Sequence, residues 1–233
     1  MPGTGEQEAL IRLEALSKVY RTDTVETSAL YDVDLEIKHG EFVAITGPSG
    51  CGKSTLLNVV GLLDSPTAGS YQFRGEELGN VEEPHLAKVR RDHIAFIFQN
   101  FNLIDELTVR ENVEFGLLYY DIAAGERRDR AQAIMERMNI AHRAGHKPVQ
   151  LSGGQQQRVA VARAIVTEPT LILADEPTGN LDSANGQEVM TLLQRLNDDG
   201  VTILMVTHSA EHAWHARREL SLADGRIISE QIH

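Results

Sequence analysis

Hydrophobic residues along this chain keep two rhythms. Residues 11–20 alternate apolar and polar, as do residues 30–37, the period-two mark of half-buried strands. The polar stretch 21–27 between them reads as a loop, and His39-Gly40 turns the chain into a continuous apolar run, 42–46. A leucine- and valine-rich segment, 56–63, predicts a helix, and the turn-forming cluster 64–69 then leads into a short strand at 70–74. Compact apolar runs at 93–98, 171–174 and 201–207 predict buried strands. From 108 to 164 the pattern becomes helical, with Thr108 and Glu111 spaced as a capping box and Ala131, Ile134, Met135 and Met138 on one side of an amphipathic segment. Asp224-Gly225 between 219–222 and 226–229 signals a hairpin. Strands alternating with helices predict an α/β core, and the β segments at 11–20, 30–37 and 70–74 predict a small antiparallel sheet beside it.

Composition narrows the class without naming the chemistry. With 233 residues the chain is long enough for one large domain or two lobes, and 42% hydrophobic with 24% charged residues is ordinary for a soluble globular protein. A formal charge of -12 argues against a broad nucleic-acid footprint. The single cysteine, Cys51, excludes an internal disulfide and a cysteine-rich zinc site and fits a reducing compartment. The first ten residues lack a basic start and an apolar stretch, so no signal peptide is expected. No run approaches the roughly 18 apolar residues of a spanning helix, so a membrane role is expected to come through a partner.

The chemistry centres on Gly47-Pro48-Ser49-Gly50-Cys51-Gly52-Lys53-Ser54-Thr55, which fits G-x-x-x-x-G-K-[ST] between an expected strand and an expected helix. Glycines there let backbone N–H groups converge on an anion, and the helix end adds dipole charge. Lys53 would reach the β- and γ-phosphates and Ser54 a bound Mg²⁺. Three expected strands end in polar groups, where ligands of parallel sheets bind. Gln99 would ligate Mg²⁺ or orient water, or else act as a plain loop hydrogen-bonder; Asp175 would hold Mg²⁺; Glu176 would take a proton from water; His208 would touch the γ-phosphate. Tyr20 reads either as a purine-stacking ring or as a partly exposed sheet aromatic. Leu151-Ser152-Gly153-Gly154-Gln155 reads as a second anion-binding helix terminus; its second glycine, unfavourable in a helix, implies close approach of something to the backbone. His142 and His146, four apart in an expected loop with no third ligand near, read as solvated. His212 and His215 would complete a three-histidine face with His208, but magnesium with phosphate already accounts for His208.

Together these residues resemble the nucleotide-binding subunit of an ATP-binding cassette (ABC) transporter over essentially the whole length, the stretch Leu151 to Gln155 being the part specific to that family. The resemblance implies a single ATP-binding domain over 1–233: a RecA-like P-loop NTPase core with an antiparallel β edge (1–81 and 167–233) and a helical lobe (about 82–166). It implies head-to-tail pairing of two copies, each ATP lying between the phosphate loop of one and Ser152, Gly153, Gly154 and Gln155 of the other. It further implies Tyr20 as the adenine-stacking ring, Gln99 as a Mg²⁺-sensing residue coupled to a membrane permease, Asp175 as metal holder, Glu176 as general base, Asp182 as a cross-subunit contact and His208 as switch histidine. Asn180-Leu-Asp182-Ser183 departs from the family's commoner Ala-Leu-Asp, and Cys51 replaces a usual small residue. The string from Ala174 to Ser183, with that from Phe98 to Leu103, looks most like the lipoprotein-release and macrolide or antimicrobial-peptide export branch. A cytoplasmic protein, peripheral on the inner face of the cell membrane, is expected, with no nucleic-acid partner. The rivals are a cassette ATPase clamping DNA or ribosomes, which usually carries coiled-coil insertions, zinc motifs or a second cassette, and a small-molecule kinase using the same loop.

Overall fold

The computed structural model describes residues 9–21 and 26–233. A six-stranded sheet, in order β10-β9-β3-β8-β7-β6, forms the centre of the molecule. Its strands are β3 (Phe42–Thr46), β6 (Ile94–Phe98), β7 (Leu171–Asp175), β8 (Thr202–Val206), β9 (Arg218–Ala223) and β10 (Arg226–Ile232). All neighbours are parallel except the β9–β10 hairpin, whose turn residues Asp224 and Gly225 both have positive φ, as a two-residue hairpin requires.

Continuous apolar runs mark the central strands because both faces of a parallel sheet are covered. Side chains alternate between the faces. Val43, Ile45, Leu171, Leu173, Leu204 and Val206 pack on one side with α1 (Lys53–Val60) and a second sheet. Phe42, Ala44, Ile172, Ala174, Ile203 and Met205 face the other side. There they meet α3 (Val109–Phe115), α4 (Ala124–Arg137), α5 (Gly153–Ile165) and α6 (Ser183–Asp198). The second sheet is antiparallel, in order β2-β1-β4-β5, from β1 (Ala9–Arg21), β2 (Glu26–Lys38), β4 (Ala68–Phe73) and β5 (Glu76–Glu77). β1 and β2 run further than the alternation suggested: Arg21 and Glu26 are paired, and the middle of the expected loop lies outside the described residues.

Two differences from the sequence reading have physical causes. The helical stretch 108–164 is three helices, because Gly116 caps α3 and two short 3-10 turns, Ala141–Arg143 and Pro148–Gln150, precede α5. The strand read at 93–98 is β6, which lies inside the span 82–166 and pairs with β7 at the edge of the central sheet. Two helices were not anticipated, α2 (Glu83–His93) and α6. α2 buries little beyond Leu86 and Val89 and so shows only a weak apolar stripe, whereas α6 carries Val189, Met190, Leu193 and Leu196 at helical spacing behind the cap Asp182.

Register then fixes the working edge. Ile45 pairs with Val206, Val206 with Asp175 and Asp175 with Phe98, so β3, β8, β7 and β6 end level with one another. The residues that follow each strand emerge along one rim.

Candidate nucleotide site

The loop after β3 is held by close backbone approach. Gly47 and Gly52 have φ of 147° and 108°, and a Cβ would lie 2.1 Å from the Leu222 carbonyl oxygen at Gly47 and 2.5 Å from that of Ala29 at Gly52. The Cys51 carbonyl accepts from the Gly225 N–H at 2.9 Å, and the Cys51 side chain is buried. α1 starts from Gly52 with no side-chain cap, so the first-turn amides of Lys53, Ser54 and Thr55 have no capping acceptor. Lys53 Nζ donates to the carbonyls of Gly47 (2.8 Å) and Pro48 (2.9 Å), arching over the loop. Uncapped amides, a helix dipole and an ammonium group converging on one concavity suit a phosphate chain.

At the level rim, the Ser54 side chain lies near enough to the Asp175 carboxyl to influence its titration, which brings the loop to the end of β7. Burial pushes the Asp175 carboxyl above its usual range, neighbouring Glu176 adds to this, and Lys53 and Ser54 oppose it. A carboxylate so placed gains from a cation. No cluster of three or more His, Cys, Asp or Glu stands ready for a metal among the described residues. Mg²⁺ bound with phosphate needs only one or two protein ligands, and Ser54 with Asp175 fits that need.

Glu176 has φ 47°, an unusual conformation held by its N–H donating to the Val206 carbonyl at 3.0 Å. Its Oε2 lies 2.9 Å from His208 Nδ1, with the carboxylate largely covered (17% exposed) and the imidazole largely open (72%). The fold thus brings together two groups 32 positions apart in the chain. Gln99 behaves otherwise. Its Nε2 donates to Asn180 Oδ1 (3.1 Å), and Asn180 Nδ2 donates to the Gln99 carbonyl (3.1 Å) and to Asn100 Oδ1 (2.9 Å), so the Gln99 amide faces the turn after β7, not the Ser54–Asp175 pair. His212 Nδ1 lies 2.8 Å from Thr178 Oγ1, and His215 contacts Gln187 and Gln194.

Tyr20, near the end of β1, donates its hydroxyl to Asp64 Oδ2 at 2.8 Å, with Lys18 bonded to the same carboxylate and its Nζ 4.9 Å from the ring centroid. The ring is 41% exposed and its hydroxyl also meets Thr55 of α1. An open aromatic face therefore stands beside the phosphate loop.

Ser152 caps α5: its Oγ accepts from the Gln155 N–H (3.3 Å), and Gln155 Oε1 accepts from the Ser152 N–H (3.1 Å). That takes up two of the donors expected to be bare. The second glycine has an internal explanation as well. A Cβ on Gly154 would lie 2.1 Å from Asn185 Oδ1 and 2.6 Å from its Cγ, so the group approaching the backbone is a side chain of α6. Asn185 is fixed in turn by Asp182, whose Oδ1 accepts the Asn185 N–H at 2.9 Å and whose Oδ2 accepts Nδ2 at 2.7 Å. Gly153 faces Leu181, Asn180 and Phe101, while Gly47 and Gly52 face Leu222, Ala29 and Leu30, so the phosphate loop and the turn that opens α5 have separate surroundings. Thr178, Asn185 and Asp64 were not singled out from the sequence, and Asn180 was noted there only as a departure from the family's commoner pattern. For Thr178 and Asn185 the one available signal was a cluster of short polar residues past the end of β7.

The region 30–179 matches the ABC transporter family. A dimeric bacterial ABC transporter cassette, MJ0796, superposes with a TM-score of 0.88 at 45% identity over 95% of this chain and 98% of its own. The chain belongs to the ABC transporter family. It is an ATP-binding cassette with the RecA-like α/β core, β edge and helices of that fold. A post-hydrolysis dimer of MJ0796 bound to ADP and Pi gives a TM-score of 0.87 at 44% identity over 95% and 98% of the two chains. Among curated relatives, the macrolide export ATP-binding/permease protein MacB of Azoarcus sp. (strain BH72) is 44% identical over 97% of this chain and 35% of its own length. The probable syringafactin export ATP-binding/permease protein SyfD of Pseudomonas syringae pv. syringae (strain B728a) is 46% identical over 97% and 34%. The cassette thus spans about a third of the length of these curated relatives. Among the described residues no helix is long and apolar enough to cross a membrane.

Proposed function

We propose that the cassette binds and hydrolyses ATP as a head-to-tail pair of identical copies and so drives a membrane-embedded permease for export or extraction of a lipoprotein, drug or peptide. The observation that carries this reading is the Glu176–His208 contact beside the Ser54–Asp175 pair at the mouth of the phosphate loop. Adenine stacks on Tyr20; the amides of Gly47 to Thr55 cradle the phosphates; Lys53 binds the β- and γ-oxygens. Ser54 and Asp175 are the residues that would hold Mg²⁺, with Gln99 reaching it only if its bond to Asn180 exchanges. Mg²⁺, when bound, neutralises charge on the β- and γ-phosphates. Glu176 accepts a proton from the attacking water, and His208 holds the γ-phosphate and the carboxylate in one arrangement.

Separate surroundings for the two anion-binding turns support the pairing, because Ser152, Gly153, Gly154 and Gln155 would complete the site of a second copy, with Asp182 between them. The architecture proposed is a core with β edge (1–81 and 167–233) and a helical lobe within 82–166, leaving out β6. Between these parts lies a groove of about 770 Å³ lined by Phe96, Phe98, Phe115, Tyr119 and Tyr120 with Arg91 and Arg163. It starts one residue before Gln99, and we assign it to the permease. On this reading the cassette is cytoplasmic and peripheral on the inner face of the cell membrane. The macrolide and probable syringafactin export proteins among its relatives favour export.

Glu176→Gln tests the chemistry. Phosphate release falls by about 10²- to 10⁴-fold, the usual contribution of a general base, while ATP binding persists and a dimer accumulates in size-exclusion chromatography. Hydrolysis at the unmodified rate removes Glu176 from its role.

A further inference from the structure

Glu176 and His208 are not the only pair spanning the gap between the loop after β7 and the segment after β8. Two residues beyond Glu176, Thr178 Oγ1 lies 2.8 Å from Nδ1 of His212, four residues beyond His208. Thr178 is almost wholly buried, at 6% exposed. The half-buried His212 ring lies on the first turn of α6, where its Nε2 would stand 3.7 Å from a Cβ on Gly186. The two contacts form parallel rungs across one gap.

The outer rung needs the inner one. His208 projects into solvent from a segment continued only by α7 (Ala210–Ala213), a single turn. A turn that short has no stability of its own, and tertiary contacts must hold it. Ser209 ties the turn together internally, its Oγ accepting from the His212 N–H (3.3 Å) and its own N–H donating to Thr207 Oγ1 (3.1 Å). His208 to His212 therefore move as one piece. Besides His208 itself, His212 provides this piece with a polar contact to the loop bearing Glu176, and the next residue, Ala213, is buried.

We propose that His212 is a positioning residue for ATP hydrolysis, its contact with Thr178 holding the His208 turn within reach of Glu176. This rests on the reading in which Glu176 and His208 act at the γ-phosphate. An imidazole suits the task because a planar ring fits over the bare Gly186 turn while offering a nitrogen to a buried hydroxyl; a glutamine amide can do the same in part.

The test is a set of variants of the full chain, His212→Ala, His212→Gln, Thr178→Val and the double His212→Ala/Thr178→Val, followed by steady-state phosphate release and by NMR of the His208 imidazole nitrogens. His212→Ala and Thr178→Val each lower kcat by about ten- to a hundredfold, the effect of a misplacement near 1 Å, with KM for ATP little changed. The double variant falls no lower than the worse single one, since both remove one contact. His212→Gln restores most of kcat. The His208 Nδ1 resonance moves in His212→Ala and returns in His212→Gln. Where alanine prevents folding, His212→Leu keeps the volume without the nitrogen and shows the same loss. Unmodified kcat with an unmoved His208 resonance in His212→Ala, unmodified kcat in His212→Leu, or additive losses in the double variant overturn the proposal. Failure of the underlying reading has a different signature, since Glu176→Gln then hydrolyses ATP normally whatever His212 does.

Discussion

Gly154 shows how one hydrogen in place of a side chain organises two helices. Because the Asn185 Nδ2 donates to Asp182 Oδ2, the side chain cannot swing aside without losing that hydrogen bond. Gly154→Ala therefore destabilises the fold by about 1–3 kcal/mol in urea titration, the usual range for overpacking, and adding Asn185→Ala recovers most of it. An unchanged midpoint in Gly154→Ala would show that α5 and α6 are free to part. From the sequence, Asp175, Glu176 and His208 were readable as candidates because each follows an apolar run, and strand ends are where ligands of such sheets sit. The tenant of Gly154 was not readable. Asn185 lies 31 positions away on another helix, and nothing local says that the two helices meet.

Among the elements, β1 is held by its ladders to β2 and β4, and near its end a small electrostatic anchor ties Lys18 and Tyr20 to Asp64. Burial alone would raise the Asp64 carboxyl, but hydrogen bonds from Lys18, Tyr20 and the Ser65 N–H hold it below its ordinary 3.8. A depressed carboxyl contributes stability that is fully present above the unfolded value and is lost as pH falls through the lower folded value. Asp64→Asn should thus be less stable than the parent at neutral pH, the difference closing as the pH drops below 3.8 in equilibrium denaturation. A difference constant with pH would mean that the charge of Asp64 does not hold Tyr20. The antiparallel edge sheet itself was foreseen from alternation in β1 and β2. The end of α3 was missed because helical periodicity ran on past it, and α2 because a helix lying on the surface with two buried residues leaves little periodic trace.

For the molecule as a whole, the decisive feature is that the phosphate loop and the turn that opens α5 belong to different neighbourhoods. If two copies complete each other, Lys53→Met and Gly153→Asp are each inactive alone, yet an equal mixture regains hydrolysis. Half the pairs are mixed and each mixed pair keeps one intact site, so up to about a quarter of the unmodified activity returns. Mixing that restores nothing would count against a shared site. The α/β class was evident from the runs at 42–46, 171–174 and 201–207, but strand order was not, since the chain visits the sheet out of sequence and only tertiary contact decides which runs are neighbours. The level ends of β3, β6, β7 and β8 carry one more implication. Scaffold and reactive groups are spelled in adjacent but separate letters, so a protein engineer can replace the groups past the strand ends one at a time on an intact frame, whereas a one-residue insertion within β7 would carry Asp175 and Glu176 out of step with every partner at once.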